Sequence, residues 1–495
     1  MSYYQERRIV MAKKPRTGKN IIYSSIYEIL VVVVPLIVSP HISRALGVEG
    51  IGIFSFSIAV ANYFKRASML GAAKYGSRSI ALVNNRPIER RNIFWTVYSV
   101  QFCATAVCIL MYSGYILLFA RNNVPAILQY IYIFTSLFGV EWYFQGREEF
   151  GITILITTIC KIAYLIGSLT LIRDRKDVHL YIVLFSLSHL VPSMICFGIA
   201  IRREKFLKPK ADRLKSALKG MVILFIPVIA VTVYKSMDKL MIGILSDTSY
   251  ANGIYENAEK ILHVPIAFIS AVSAVLMPRM TVLFRDSDEK KANQLIFRTI
   301  KYSALMSMGC AFGLAALSTM FSVIYWGQEF RGCGELLTIF AISIPVMSFA
   351  EILRTQYIIP RKKDKIYIVA VSSAAVINLI INLALIPRIG AKGAVIGTIT
   401  SEGAVCIYQA FKVRNELPIF KYVLQYSKFI IPGAVMYTAI CYLINFMSYS
   451  VIHLIELVMI GGMIYIMVFS VYMLIFERKA IFANAQRVWK AIKLR

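Results

Sequence analysis

The sequence predicts an all-α, polytopic membrane protein. Three observations carry that prediction: 58% of the 495 residues are hydrophobic, only 16% are charged, and about fourteen apolar stretches are each long enough to cross a bilayer. Soluble domains carry about 25% charged residues, and a spanning helix needs about 20 mostly apolar ones.

The stretches fall near 21–43, 51–73, 93–119, 125–146, 150–172, 178–201, 220–245, 255–284, 302–325, 334–357, 366–387, 391–411, 429–446 and 451–476. The residues before the first, MSYYQERRIVMAKKPRTGKN, are polar and basic. The apolar run after them is too long for a signal-peptide core and lacks a small-residue cleavage site, so 1–20 is expected to be a cytoplasmic tail and 477–495 a second basic one. With the N-terminus inside, the cytoplasmic segments hold 39 Lys and Arg and the outer loops 8. That asymmetry places both termini in the cytoplasm and accounts for most of the net charge of +29. It leaves no solvated basic domain of the kind a nucleic-acid binder needs; membrane lipids are the partner such charges attract.

The basic linker 202–219 divides the chain into a six-helix lobe, 21–201, and a second, 220–411, with two additional helices and their preceding loop over 412–476. Internal repeats of this kind are common in transporters. A short one is visible: Gly52-Ile53-Phe54 opens span two, and Gly253-Ile254-Tyr255 opens span eight. No extramembrane segment exceeds about 20 residues, which leaves no room for a soluble catalytic domain, so the chain is not expected to be an enzyme. Asp286-Ser287-Asp288 has the spacing of a metal-binding DxD, but beside Lys290 and Lys291 it reads as a solvated loop. The eight cysteines form no CxxC pair and the five histidines are scattered, so no metal site or cofactor is expected.

Charges inside spans are informative because each costs about 2.5–3.5 kcal/mol on insertion scales and needs a partner or water. Those far from span ends are Lys65, Arg66, Lys161, Lys235 and Lys239 against Asp238 and Glu402. Lys235, Asp238 and Lys239 share one helical face at spacings of three and four, and one carboxylate cannot neutralise two ammoniums. The residues suggest a cationic, hydrated cavity between two helical halves and an anionic substrate, with phosphate the natural group. A structural ion pair with one lysine reaching outward is the alternative for this triad.

The stretches NIIYSSIYEILVVVVPLIVSPHISRALGVEGIGIFSFSIAVANYF, GAAKYGSRSIA, EWYFQGREEFG, YKSMDKLMIG and VLMPRM resemble the polysaccharide biosynthesis (Wzx-type) flippases of the multidrug/oligosaccharidyl-lipid/polysaccharide exporter superfamily. The resemblance implies two six-helix lobes around a central cavity plus two C-terminal helices. It also implies movement of a polyprenyl-pyrophosphate-linked oligosaccharide from the inner to the outer leaflet of the cell membrane, for O-antigen, capsule or exopolysaccharide, alongside other polysaccharide-assembly membrane proteins. By position, Arg44, Gly47, Gly50 and Gly52 match the family's tight external turn between spans one and two. Tyr234 and Asp238 match a tyrosine and aspartate in span seven, and Gln145 and Gly146 a pair closing span four. The cations would line the headgroup's path, and Asp238 or Glu402 would carry a coupling proton or sodium ion, or form a salt bridge. An ion-coupled multidrug antiporter of the same superfamily is the rival reading; its cationic drugs favour an acidic cavity, whereas the deep charges here run five basic to two acidic.

Overall fold

The computed structural model describes residues 17–120, 123–246 and 248–476, with side chains from Val33 onward except at 227, 230, 231, 233, 235 and 476. The expected cytoplasmic tails lie almost wholly outside these residues. Every regular element described is helical: α1 (Thr17–Met69), α2 (Ala72–Leu82), α3 (Pro87–Phe119), α4 (Val124–Leu128), α5 (Tyr130–Phe138), α6 (Glu141–Gly146), α7 (Phe150–Leu171), α8 (Val178–Arg203) and α9 (Ala211–Leu245). Then follow α10 (Ser249–Arg285), α11 (Glu289–Trp326), α12 (Arg331–Phe340), α13 (Ser343–Leu353), α14 (Asp364–Ile389), α15 (Ala391–Val413), α16 (Ile419–Ser427), α17 (Ile430–Leu443) and α18 (Val451–Phe476).

Among the described residues, ten segments are long and apolar enough to cross a membrane, or eleven with the pair Gln328–Phe340 and Ser343–Ile358, which is bent by 51°. The protein is therefore a multi-pass membrane protein, but the expected fourteen spans do not emerge as fourteen separate helices. Spans one and two run on as one helical path, broken only at Gly47 (φ 70°, ψ 177°). The expected turn over Arg44, Gly47, Gly50 and Gly52 is thus a single-residue break, and the other three lie in helix. Span four is split into α4, α5 and α6. The expected spans in α9 and α15 are helical but are not among the ten.

The chain forms two compact units. The first comprises residues up to Leu46 with Ser57–Thr232; the second comprises Gly47–Phe56 with residues from Val233 onward. In the first unit, Leu70 (φ 42°) and Gly71 (φ 77°) break the path between α1 and α2. A Cβ on Gly71 would lie 2.5 Å from the Met221 carbonyl oxygen, so the start of α9 packs directly on this break. Phe94, Trp142, Tyr143, Phe144 and Met221 form the buried core around it.

In the second unit the two copies of the sequence repeat pack on each other. A Cβ on Gly52 would lie 1.8 Å from the Ser249 carbonyl oxygen, and one on Gly253 2.0 Å from that of Val48. Backbones this close exclude every side chain but hydrogen. A larger core, including Ile296, Ile352, Tyr357, Tyr422 and Phe429, joins α11 and α13 to α16, α17 and α18.

A second repeat is structural and was hidden in the sequence. After α6 the chain turns with Arg147 N–H donating to Tyr143 O (3.1 Å), Glu148 N–H to Gln145 O (3.0 Å) and Glu149 N–H to Phe144 O (2.9 Å). At the end of the π-helical turn Arg354–Ile358, Arg361, Lys362 and Lys363 make the same three bonds to Tyr357, Ile359 and Ile358. Glu148 and Lys362 share a left-handed backbone, φ 59° and 58°. Tyr143 then donates to Glu204 at the end of α8, and Tyr357 to Glu416 after α15.

Candidate substrate and ion sites

Lys65 lies midway along the helical path from Val48 to Leu82, five residues before the break at Leu70. Its ammonium sits 3.8 Å over the Tyr132 ring centroid, a desolvated cation–π contact. Tyr132 is fixed in turn: its hydroxyl donates to Asn62 Oδ1 at 2.9 Å, and its ring meets His189 edge-on at 5.3 Å. Lys161, on α7, stands 5.9 Å from the Tyr164 ring, whose hydroxyl donates to Tyr181 at 3.1 Å. Phe185 bridges the two aromatic sets, 6.0 Å from Tyr132 and 6.1 Å from Tyr164. Lys65 and Lys161 are close enough to repel one another, and both charges reach His189.

Arg66 is exposed beside Lys65. Among the described residues, none of Lys65, Arg66 and Lys161 is ion-paired; the carboxylate whose charge Lys65 feels, Glu141, accepts Ser193 Oγ at 2.7 Å instead. The first unit therefore gathers positive charge on aromatic faces inside apolar helices without neutralising it.

The second unit does the opposite with Lys239. Its ammonium bridges Glu256 (2.6 Å) and Glu259 (2.7 Å), while Lys260 reaches Glu256 at 3.2 Å and Ser55 donates to Glu256 at 2.9 Å. Two ammoniums meet two carboxylates, so Lys239 belongs to a balanced network, not to a cationic wall. The Lys235 side chain lies outside the described residues.

Asp238, 7% exposed, turns away from that network. It accepts from Tyr255 Oη, Thr398 Oγ1 and Asn382 Nδ2, each at 2.6 Å, which joins α9, α10, α14 and α15. Asn382 also donates to Asn378 Oδ1 at 3.1 Å, and its own Oδ1 is buried and, among the described residues, without a hydrogen-bond partner. A Cβ on Gly397 would come within 2.1 Å of that oxygen, so the glycine makes room for it. One carboxylate with amide and hydroxyl oxygens suits a hard cation. Glu402 stands one turn beyond Thr398 on α15 and, like Asp238, within electrostatic reach of Tyr234.

Arg44 is exposed on α1. Gly146 ends α6, where a Cβ would lie 2.6 Å from the Ser77 carbonyl oxygen, and Gln145 beside it is exposed. Sequence reasoning missed Tyr132, Tyr164, His189, Glu256, Asn378, Asn382 and Thr398. The pair Asn378 and Asn382, one helical turn apart in an apolar stretch, was the available signal for this buried polar cluster.

Residues 17–284 match the family described as polysaccharide biosynthesis protein. A relative from Shigella dysenteriae named for O-antigen transport is 22% identical over 385 residues, 77% of this chain and 96% of its own. One from Haloferax volcanii, named as a low-salt glycan biosynthesis flippase, is 22% identical over 56% of this chain and 58% of its own. Among solved structures, the lipid II flippase MurJ in an inward closed conformation superposes with a TM-score of 0.71, covering 93% of this chain and 99% of its own at 15% identity. That likeness extends to the fold. The match over more than half of its length makes the chain a member of the polysaccharide biosynthesis protein family.

Proposed function

We propose that the protein is a flippase that carries an oligosaccharide linked through pyrophosphate to a polyprenyl lipid from the cytoplasmic to the outer leaflet of the cell membrane. The names of its relatives supply the substrate class. One observation in the structure supports it most: Lys65, Arg66 and Lys161 are gathered in the first unit without an ion-paired carboxylate among the described residues, where a dianionic pyrophosphate would supply the missing charge. The Tyr132 and Tyr164 rings give the headgroup an apolar edge, and the lipid tail stays in the bilayer.

Transport proceeds by alternating exposure of these cations to the two membrane faces, with both termini cytoplasmic. No covalent bond changes, so the protein is a carrier and not an enzyme. Coupling requires an ion that binds the two states unequally, and the oxygen cluster of Asp238, Asn378, Asn382 and Thr398 fits sodium.

The test is reconstitution into sealed vesicles holding polyprenyl-pyrophosphate oligosaccharide. The rate at which the sugar becomes accessible on the opposite face is compared with protein-free vesicles. Acceleration that Lys65→Gln abolishes is the expected result; equal rates with folded protein and a matched sugar overturn the reading.

A further inference from the structure

We infer that residues 202–210, the segment leaving α8, form a docking surface for the headgroups of anionic phospholipid, with Phe206 set among them. The segment reads RREKFLKPK, and its single carboxylate is withdrawn from the surface. Glu204 is 2% exposed; it accepts Arg90 Nε at 2.6 Å and Tyr143 Oη at 2.7 Å. Arg203 turns to Glu149 at 2.5 Å. Outward, this leaves Arg202, Lys205, Lys208 and Lys210, all exposed and, among the described residues, without an ion-pair partner.

The backbone that carries them is held in place. Trp95 Nε1 donates to the carbonyl oxygens of both Glu204 and Lys205, each at 3.0 Å. Phe206 rests edge-on against the Trp95 ring at 4.9 Å yet is 70% exposed. Ile88, in the first turn of the helix that carries Arg90 and Trp95, is 74% exposed. An exposed aromatic ring anchored on a tryptophan and flanked by cations suits the bilayer interface, where the ring lies at headgroup level and each nearby Lys or Arg strengthens attraction to anionic lipid about fivefold. An acidic protein would satisfy the four charges but leave Phe206 and Ile88 in water, which is why the charge and the apolar surface together favour lipid.

This proposal is independent of the transported substrate. Its test uses the purified full-length protein in mild detergent, titrated with brominated anionic or brominated zwitterionic phospholipid, and reads tryptophan emission. Trp95→Phe isolates the Trp95 component from the four tryptophans. The expected result is that anionic lipid quenches Trp95 at much lower concentration than zwitterionic lipid. Combining Lys205→Gln, Lys208→Gln and Lys210→Gln should raise the anionic half-quenching concentration by about a hundredfold. Equal quenching by both lipids, or an unchanged triple variant, overturns the inference. Should the triple variant not fold, the comparison of the two lipids on the wild-type chain still decides. Quenching by neither lipid, with the segment instead shielded by a co-purifying acidic protein, also overturns it.

Discussion

The Tyr143 hydroxyl donates to the buried carboxylate of Glu204 at 2.7 Å, tying the end of α6 to the end of α8. Tyr357 makes the corresponding bond to Glu416 in the second unit, at the end of a turn with the same three backbone hydrogen bonds. The two copies differ in exposure: the Glu204 side chain is 2% exposed and that of Glu416 40%. A hydrogen bond to a charged group contributes about 1.5–3 kcal/mol, most where desolvation is greatest. Tyr143→Phe is therefore expected to lower the unfolding midpoint in detergent clearly more than Tyr357→Phe. Equal losses would show that the two bonds are not ranked by burial.

Glu416 also sets a pH dependence. Lys363 and Tyr357 bond its carboxylate and hold its pKa below the ordinary value of 4.5. A carboxyl depressed on folding stabilises the protein above its unfolded pKa, and that contribution is lost as pH falls through the folded value. Glu416→Gln should thus be the less stable protein at neutral pH, with the two stability curves converging below about pH 4. Curves that stay parallel into acid would remove the carboxylate from the account.

Lys65→Gln and Lys239→Gln should separate function from stability. Lys65 has an aromatic face and, among the described residues, no ion-paired carboxylate, and Glu141 keeps its bond from Ser193, so its loss is expected to cut flipping at least tenfold while the yield of folded protein stays near normal. Lys239→Gln strands Glu256 and Glu259 beside a single lysine. Breaking a buried pair costs about 3–5 kcal/mol, so the expected outcome is poor recovery of folded protein, restored by adding Glu259→Gln, which leaves the Lys260–Glu256 pair in place. Normal yield with lost transport in Lys239→Gln would return that lysine to the substrate path.

The difference between these two lysines shows where sequence reading stops. Apolar runs and the sidedness of Lys and Arg depend on local composition, so a helical membrane protein was legible from the residues alone. The motifs around Arg44, Gly47 and Asp238 carried the family. Whether a deep lysine is neutralised depends on a neighbouring helix, and Glu256, at the opening of span eight, gave no sign that it faces Lys239. Tyr143 and Tyr357 hid their equivalence because the turns that carry them share only the Tyr and Arg four residues later, while the flanking residues differ. At Gly47 the expected boundary between spans one and two is a break at one positive-φ residue and not a loop.

Asp238→Asn tests the proposed ion site. The change keeps the side-chain volume but replaces a charged acceptor by an amide among Tyr255, Thr398 and Asn382, all of which donate to the carboxylate. Flipping by the wild-type protein should accelerate with an imposed sodium gradient, and the variant should lose that response while retaining slow, gradient-independent flipping. A variant that still responds fully to sodium would move the coupling site elsewhere, with Glu402 next to be tested.

Gly52→Ala and Gly253→Ala probe the contact between the two repeat copies. Each added methyl meets a backbone carbonyl, at 1.8 Å from Ser249 and 2.0 Å from Val48, and backbone cannot rotate aside as a side chain can. Each substitution should cost about 1–3 kcal/mol or more by overpacking. Because both methyls press on one contact, the first to enter parts the two helices and opens space for the second. The double variant should therefore lose distinctly less stability than the sum of the single losses, as coupled neighbours do. Unfolding midpoints of the four proteins in one detergent measure this directly. Strict additivity would mean that the two glycines yield independently and that the reciprocal contact is not a single mechanical unit.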